Sequence, residues 1–320
     1  MEKNNKEKPL VSICCITYNH VKYIRDALEG FMMQETDFPF EVLIHDDAST
    51  DGTADIIREY EQKYPDIIKP IYQTENQYSK GVEIFSTYNY PRAQGKYIAL
   101  CEGDDFWTDK RKLQIQADFM EQNHDFVLCC HGRYWLDYYK KRYYPEPFKN
   151  VPEEGIECAH EMALGNFILS TQTMFFRKDA LLKIFTNLNR DTKDAPMSDL
   201  QLAFNLAFKG KIKYIKKRMA TYRCASGSVT HCDTGYDMYF LDRCEKATVL
   251  MIKNSPYPEW LKEREASKVV TFSSKQKSNH SLVRLAIGKI HFFLLKLMAT
   301  IRFHVYMINH GEPLLLKKNC

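Results

Sequence analysis

Three carboxylates stand within four residues, at Glu102, Asp104 and Asp105, in a segment (residues 102–105) that we name the acidic turn. It directly follows residues 97–101, an apolar run typical of a buried strand. Side chains of like charge this close raise one another's pKa unless a cation or hydrogen-bond donors offset them. Clustered carboxylates are also the ligands that Mg²⁺ and Mn²⁺ prefer, with substrate phosphates completing the coordination. The acidic turn therefore predicts a metal site that handles phosphate groups.

Two further polar clusters follow apolar runs, at residues 17–20 and 46–53. Turn formation or helix capping accounts for residues 49–51. It does not account for the adjacent acids Asp46 and Asp47. The sequence contains neither GxGxxG nor GxxxxGK[ST], so neither of these phosphate-binding loops competes with the acidic turn.

The first 130 residues alternate two hydrophobic periodicities. Continuous apolar runs predict buried strands, and apolar residues spaced three and four apart predict helices between them. The predicted strands are residues 11–17, 41–45, 67–72, 97–101 and 126–130, and the predicted helices are 21–33, 53–64, 82–93 and 111–122. This order is typical of an α/β fold with a mostly parallel central sheet flanked by helices. Because the polar clusters follow strands, we expect them to meet at one edge of that sheet.

The pattern is less regular beyond residue 131. Residues 169–177 and 212–222 predict extended segments, and residues 198–209 predict a helix. We therefore expect one domain over 8–235, a helical extension over 236–280 and a basic amphipathic C-terminal tail over 281–320.

The tail has a distinctive charge pattern. Residues 281–311 contain no acid, and Arg284, Lys289, Lys296 and Arg302 are interspersed among apolar residues. On a helix the apolar residues form one stripe opposite the four cations, as in helices that lie in an anionic membrane interface. No uncharged apolar stretch reaches the roughly 20 residues needed to span a bilayer. Packing on the chain's own domain or on a partner subunit is the alternative.

Composition limits the class of protein. The 320 residues are 44% hydrophobic and 27% charged, which is typical of a globular protein. The formal net charge of +4 is too small to argue for nucleic-acid binding. Ten cysteines are scattered without a CxxC pair, and residues 1–8 lead into no apolar signal region. These features predict a reducing, cytoplasmic location.

Five segments together resemble a family 2 glycosyltransferase of the GT-A fold, of the bacterial surface-polysaccharide type. They are residues 11–34, 41–57, 95–120, 197–215 and 222–230, and their order along the chain is highly specific. The resemblance covers residues 8–230 and implies a GT-A catalytic domain over 8–235. It also implies a nucleotide-diphosphate sugar as donor, with a UDP-sugar as the expected form.

The resemblance assigns roles to single residues of the nucleotide site. One acid of the pair Asp46 and Asp47 is expected to contact the nucleotide base or ribose. Thr17 and Tyr18 are expected to lie at the base, although both also suit a core or turn position. Arg223 is expected to contact the diphosphate.

The resemblance also implies a metal site and a catalytic base. The family's DxD element corresponds to Glu102 through Asp104, with Asp105 adjacent. Because Glu102 stands where the first Asp of that element often stands, Asp104 is the expected principal ligand of Mn²⁺ or Mg²⁺. The family's base begins a late helix and corresponds to Asp199, for which helix capping is the alternative. Inverting transfer needs one such carboxylate to take the proton of the acceptor hydroxyl.

The expected function is that of a metal-dependent inverting hexosyl- or N-acetylhexosaminyltransferase. Its expected acceptor is a hydroxyl of a saccharide or lipid-linked saccharide at the cytoplasmic face of the cell membrane, in surface polysaccharide assembly. One rival is a non-catalytic nucleotide-sugar or glycan-binding subunit, which would bind without turnover. A nucleotidyltransferase is disfavoured, because residues 17–23 contain no basic Gly-rich loop for a triphosphate.

Overall fold

The computed structural model describes residues 7–137, 140–182, 198–224, 231–232, 235–236 and 238–266. Its strands are β1 (Val11–Thr17), β2 (Phe40–Asp46), β3 (Ile68–Tyr72), β4 (Tyr97–Glu102), β5 (Phe106–Trp107), β6 (Phe126–Asp137), β7 (Arg142–Pro145), β8 (Phe175–Arg177), β9 (Lys211–Cys224), β10 (His231–Cys232) and β11 (Gly235–Tyr236). Its helices are α1 (Ile24–Met32), α2 (Thr53–Lys63), α3 (Lys112–Gln122), α4 (Gly155–Leu164), α5 (Lys178–Leu182), α6 (Ser198–Ala207) and α7 (Met238–Lys253).

Among the described residues, strands β1 to β9 form one sheet in the order β3-β2-β1-β4-β8-β6-β9-β5, with β7 paired on β6. Strands β3, β2, β1 and β4 are parallel, as their helical connections predict. Strand β8 runs antiparallel between β4 and β6, whereas β6 and β9 are parallel again. The register pairs Thr17 with Asp46 and Ile16 with Glu102. The polar ends of β1, β2 and β4 therefore meet at one edge of the sheet.

The central strands are buried on both faces because helices cover each side. The neighbours Cys14 and Cys15 are both fully buried but belong to different hydrophobic clusters, since successive side chains of a strand point to opposite faces. One cluster includes residues of α1, α2 and α3, and the other includes residues of α4 and α6. The cysteine side chains that are described are all free thiols, so these buried ones pack as small apolar groups.

The segment predicted as a helix over residues 82–93 is irregular. It forms a π-helical turn over Phe85–Asn89 and a 3₁₀ turn over Tyr90–Arg92. Pro91 cannot donate a backbone hydrogen bond. The Asn89 side chain turns into the sheet, where Nδ2 donates to the carbonyl oxygens of Cys15 (3.1 Å) and Leu43 (3.0 Å). Hydrogen bonds to the sheet thus replace a regular helical ladder here.

The second half of the domain also differs from the sequence prediction. The segment predicted as extended over 169–177 is a 3₁₀ turn at Thr171–Thr173 followed by the three-residue strand β8. Strand β6 continues past residue 130 to Asp137, because β9 pairs with it along its length. The hydrophobic periodicity does not predict β5, β7 or α4.

The segment after β11 contributes to the core beneath α4 and α6. Trp260 is 7% exposed, and its ring stacks on Tyr257 with 4.5 Å between centroids. Phe208, directly after α6, stacks against both rings. The expected extension over 236–280 is described only in part, and the tail lies outside the described residues. Within the described part of the chain, no helix is both long and apolar enough to cross a membrane.

Candidate active site

The acidic turn connects β4 to β5 at the carboxyl edge of the sheet. Glu102, Asp104 and Asp105 each offer one carboxylate oxygen, and these oxygens lie within 4.8 Å of one another. Asp105 is 1% exposed, and its Oδ2 atom is buried without a hydrogen-bond partner among the described residues. A hard divalent cation fits this set, because it would satisfy the buried oxygen and offset three adjacent negative charges.

The electrostatics of the acidic turn favour binding of a cation. Burial, reinforced by the charge of Asp104, raises the pKa of both Glu102 and Asp105 well above the usual range of carboxyl groups. Such shifts mean that the ionised carboxylates are destabilised where they stand. A divalent cation would offset this destabilisation by stabilising the ionised carboxylates, in competition with protons.

Gly103 lets the acidic turn lie directly against the end of β1. A Cβ atom at this position would stand 2.6 Å from Thr17 Oγ1 and 2.7 Å from Thr17 Cβ. The Gly103 amide donates to the Ile16 carbonyl at 2.9 Å. Thr17 is therefore packed beneath the turn, whereas Tyr18 is 44% exposed at the sheet edge.

Arg223, on β9, holds the acidic turn in place through hydrogen bonds. Its backbone amide donates to Asp105 Oδ1 at 2.8 Å, and its Nε donates to the Asp104 carbonyl at 2.7 Å. Its terminal nitrogen pairs with Asp26 of α1 at 2.7 Å, and the guanidinium lies 4.9 Å from the ring centroid of Tyr23. The arginine thus supports the turn, and its expected contact with a diphosphate stays a prediction.

The paired acids at the end of β2 have different surroundings. Asp47 accepts the backbone amides of Gln77 (2.8 Å) and Tyr78 (3.0 Å), so its carboxylate anchors the loop after β3. Asp46 accepts the Ser49 amide at 3.3 Å through Oδ2, while its buried Oδ1 has no hydrogen-bond partner among the described residues. Burial raises the pKa of Asp46. Which of the two acids contacts a nucleotide remains a prediction.

The loops after β1 and β2 are held together by side-chain hydrogen bonds. The Asn19 amide donates to Ser49 Oγ, and Asn19 Oδ1 accepts the Thr50 amide, both at 2.9 Å. Asp51 Oδ2 accepts the Val21 amide at 2.9 Å. These polar residues therefore have the structural roles that turn and cap chemistry predicts.

Asp199 lies in the first turn of α6. Its Oδ1 accepts the Leu200 amide at 2.8 Å, and its Oδ2 accepts the Thr171 hydroxyl at 3.2 Å. Burial raises the pKa of Asp199. Its negative charge contributes to the raised pKa of Glu102, so the two carboxylates lie within electrostatic reach of each other. The structure therefore brings the predicted base to the neighbourhood of the acidic turn.

Asp26 and Arg133 also belong to this region, although the local sequence pattern assigns neither residue to it. Asp26 pairs with Arg223 across 197 positions of the chain, a contact that no local pattern indicates. Arg133 lies on β6, and its positive charge opposes the upward pKa shifts of Asp105 and Asp199. The sequence carries one signal for Arg133, which begins the run of tyrosine and basic residues over 133–148. Such a run suits contact with an acceptor sugar or a lipid headgroup, although an ordinary amphipathic surface explains it as well.

Comparisons with known proteins agree with this geometry. Residues 12–185, more than half of the chain, match the family model "Glycosyl transferase family 2". An uncharacterized protein of Mycobacterium tuberculosis is 34% identical over 226 residues, which are 69% of this chain and 60% of the relative. The chain thus spans less than two thirds of that relative's length. The putative teichuronic acid biosynthesis glycosyltransferase TuaG of Bacillus subtilis is 40% identical over 113 residues, or 35% of this chain and 42% of TuaG.

A solved structure shows the same fold. Staphylococcus aureus TarS 1–349, in complex with UDP-GlcNAc, superimposes with a TM-score of 0.56 at 18% identity, over 81% of this chain and 69% of that chain. This likeness confirms the predicted GT-A type of α/β fold. Because the family match runs from β1 through α5 and includes the acidic turn, the chain belongs to glycosyl transferase family 2.

Proposed function

We propose that this chain transfers a sugar from a nucleotide-diphosphate sugar, with a UDP-sugar as the expected donor, to a hydroxyl group of a saccharide. The supporting observation is the acidic turn, whose three carboxylate oxygens lie within 4.8 Å of one another, in electrostatic reach of Asp199. The transferred group is expected to be a hexosyl or N-acetylhexosaminyl unit, in keeping with the UDP-GlcNAc bound to TarS.

The donor site of this proposal lies at the ends of β1, β2 and β4. Asp104, with Glu102 and Asp105 Oδ2, would hold Mn²⁺ or Mg²⁺. When bound, such an ion neutralises the charge that builds up on a departing diphosphate. Arg223 keeps the turn in place through Asp104 and Asp105.

The nucleoside would lie beside the acidic turn at the same edge. Thr17 and Tyr18 on one side, and Asp46 or Asp47 on the other, are the proposed contacts for the base and ribose. The Oδ1 atom of Asp46 is a buried hydrogen-bond acceptor, and it has no hydrogen-bond partner among the described residues.

Asp199 is the proposed general base of an inverting reaction. Its carboxylate would take the proton from the acceptor hydroxyl while that oxygen forms a bond to the anomeric carbon. The bond between the anomeric carbon and the diphosphate oxygen breaks on the opposite face, and the electron pair leaves with the nucleotide. The raised pKa of Asp199 makes it a stronger base than an ordinary aspartate.

The proposed process is assembly of a surface polysaccharide on a lipid-linked acceptor at the cytoplasmic membrane face. TuaG is a putative teichuronic acid biosynthesis glycosyltransferase, and TarS is a poly(ribitol-phosphate) β-N-acetylglucosaminyltransferase. These similarities support a role in the assembly of such polymers. The basic apolar tail would hold the chain at an anionic membrane surface.

Calorimetric titration tests the donor site. UDP, GDP and dTDP are titrated into the full chain with and without Mn²⁺, and again into Asp104→Ala. The matched control is Asp55→Ala, because the Asp55 side chain on α2 is 80% exposed and far along the chain from the turn. We expect Mn²⁺-dependent binding of one nucleotide that is lost in Asp104→Ala and kept in Asp55→Ala.

Two results would contradict the proposal. If no nucleotide binds with Mn²⁺, the acidic turn is not a donor site. If a nucleotide binds but the corresponding sugar nucleotide is neither hydrolysed nor used for transfer, the chain is a nucleotide-sugar or glycan-binding subunit of the same fold.

A further inference from the structure

A row of aromatic side chains crosses the extended part of the sheet. Trp135 on β6 is paired with Tyr144 on β7 and with Tyr222 on β9. Directly paired residues on neighbouring strands point to the same face, so the three rings lie side by side. Tyr144 is buried, whereas Trp135 and Tyr222 are partly exposed. The row therefore has a buried end and an accessible part.

Arg133 holds the accessible rings in a fixed arrangement. The centroids of Trp135 and Tyr222 are 5.9 Å apart, with 69° between the ring planes. The Arg133 guanidinium lies 4.9 Å from the first centroid and 4.8 Å from the second. The same guanidinium pairs with Glu146 at 3.2 Å. The rings thus form a rigid surface whose ordering costs little on binding.

The aromatic row lies close to the acidic turn. Tyr222 directly precedes Arg223, whose backbone amide donates to Asp105 Oδ1 at 2.8 Å. The positive charge of Arg133 is also within electrostatic reach of the proposed base. Trp135 follows two positions along the same strand, roughly 7 Å further on. The nucleoside contacts, in contrast, belong to β1 and β2, which β4 and β8 separate from β6 in the sheet. The row therefore lies on strands other than those that carry the proposed nucleoside contacts.

We propose that Trp135 and Tyr222 form a subsite for the acceptor, in which a pyranose ring of a saccharide packs its apolar C–H face on the aromatic surface. This inference rests on the proposed function, since it places the acceptor hydroxyl at Asp199. A saccharide suits the site because it combines an apolar ring face with hydroxyl groups that can reach Arg133 and Glu146.

Tryptophan fluorescence of the full chain tests the subsite. The sequence has three tryptophans, and Trp107 and Trp260 are 2% and 7% exposed, so acrylamide should quench mainly Trp135. The probes are cellotetraose, chitotetraose and mannotetraose, added in the presence of UDP and Mn²⁺. We expect at least one of them to protect Trp135 from quenching.

Variants then assign the binding to the two rings. Calorimetry with the protecting tetrasaccharide should show about five- to tenfold weaker binding to Trp135→Ala and Tyr222→Ala, and near-normal binding to Trp135→Phe and Tyr222→Phe. The control is Tyr64→Ala, a partly buried tyrosine whose ring lies 6.3 Å from that of Tyr60 at the end of α2. Mn²⁺-dependent UDP binding should be unchanged in all of them.

The outcomes separate this inference from the proposed function. If no tetrasaccharide protects Trp135, or if both alanine variants bind it as the wild type does, the acceptor subsite is overturned while UDP binding still supports the donor site. If UDP itself does not bind the wild type, the proposed function fails first.

Discussion

Asp105 and Asp47 resemble each other in sequence context but differ in what their oxygens can do. Asp105 accepts a hydrogen bond from the Arg223 amide through Oδ1, and its buried Oδ2 has no hydrogen-bond partner among the described residues. Asp47 accepts hydrogen bonds from the backbone amides of Gln77 and Tyr78, one through each carboxylate oxygen. The first acid can therefore contribute a metal ligand while supporting β9, whereas the second is largely occupied in anchoring a loop.

The role of Asp199 can be separated from helix capping by substitution. Asp199→Asn should lower kcat by roughly 10²- to 10⁴-fold, the usual contribution of a general base, while UDP binding is retained. Asp179→Asn is the matched control, because Asp179 Oδ1 accepts the Ala180 amide at 2.8 Å, as Asp199 Oδ1 does with Leu200. Equal losses in the two variants would show that Asp199 acts only as a cap.

The pH dependence of the reaction gives a second test of Asp199. The base must be ionised, and burial raises its pKa, so kcat should fall with decreasing pH at a higher pH than an ordinary aspartate would cause. The residual kcat of Asp199→Asn should not show this decrease at acidic pH. The measurement is a pH–rate profile at saturating donor and acceptor, and an unchanged decrease in the variant would argue against the base.

Lys112 is a buried charge that the proposed reaction does not use. The side chain is fully buried in α3, donates from Nζ to Gln116 Oε1 at 2.8 Å and lies 3.9 Å from the Trp107 ring centroid. Burial lowers the pKa of Lys112 from 10.5 to about 7. Between these values the unfolded chain binds more protons at this site than the folded one, so its contribution to stability rises with pH.

Replacing Lys112 should therefore stabilise the protein near neutral pH. Relative to Lys112→Met, the wild type should gain up to about 1.4 kcal/mol of unfolding free energy per pH unit between roughly pH 7 and 10. Urea unfolding of both proteins across this range measures the difference. The exposed Lys110→Met serves as control and should show no such trend, and parallel curves for Lys112→Met and the wild type would contradict the expectation.

At the scale of elements, the site depends on how closely β4 approaches β1 at their carboxyl ends. The glycine at position 103 allows this approach, since a Cβ atom there would overlap Thr17. Arg223 then joins the acidic turn to α1 through Asp26 and to β9 through its own backbone. Three elements far apart in the chain thus fix the geometry of one turn.

Gly103→Ala should displace the acidic turn. We expect a loss of about 1–3 kcal/mol of unfolding free energy from overpacking, and a larger relative loss of Mn²⁺-dependent UDP binding. Thermal unfolding and calorimetry measure the two effects separately. Normal Mn²⁺-dependent UDP binding by a folded Gly103→Ala protein would show that the metal site does not require this packing.

At the scale of the whole molecule, one sheet carries both proposed sites. The parallel strands β3, β2, β1 and β4 carry the proposed donor site, and the longer strands β6 and β9 carry the proposed acceptor subsite. The acidic turn and Asp199 lie between them. The tail is the remaining part of the functional proposal, and its role rests on its sequence.

Membrane binding by the tail should depend on its four basic residues. Changing Arg284, Lys289, Lys296 and Arg302 to Gln should weaken binding to anionic vesicles by about 4 kcal/mol, or roughly 10³-fold, at about 1 kcal/mol for each charge. Co-sedimentation with phosphatidylserine-containing vesicles measures the effect, and neutral vesicles should bind weakly.

A control with the same loss of charge locates the effect. It carries four exposed lysines of the catalytic domain changed to Gln, namely Lys63, Lys96, Lys110 and Lys209. This variant should bind vesicles nearly as well as the wild type. If both variants lose binding equally, net charge and not the tail is responsible.

The local sequence determined the first half of the fold and the position of the acidic turn. The continuous apolar runs of β1, β2 and β4 can be buried only between two layers of helices, and parallel strands bring their carboxyl ends together. Glu102, Asp104 and Asp105 could therefore be predicted as a candidate metal site, because their spacing alone keeps them together.

Tertiary structure decided the features that depend on contacts between distant residues. The pairing of Arg223 with Asp26, the use of Asp47 by the loop after β3 and the extension of β6 along β9 join segments with no shared local pattern. The aromatic row of Trp135 and Tyr222 likewise exists only in the paired strands. Such contacts are set by the packing of the whole sheet, so periodicity and residue type, which act within a few positions, cannot specify them.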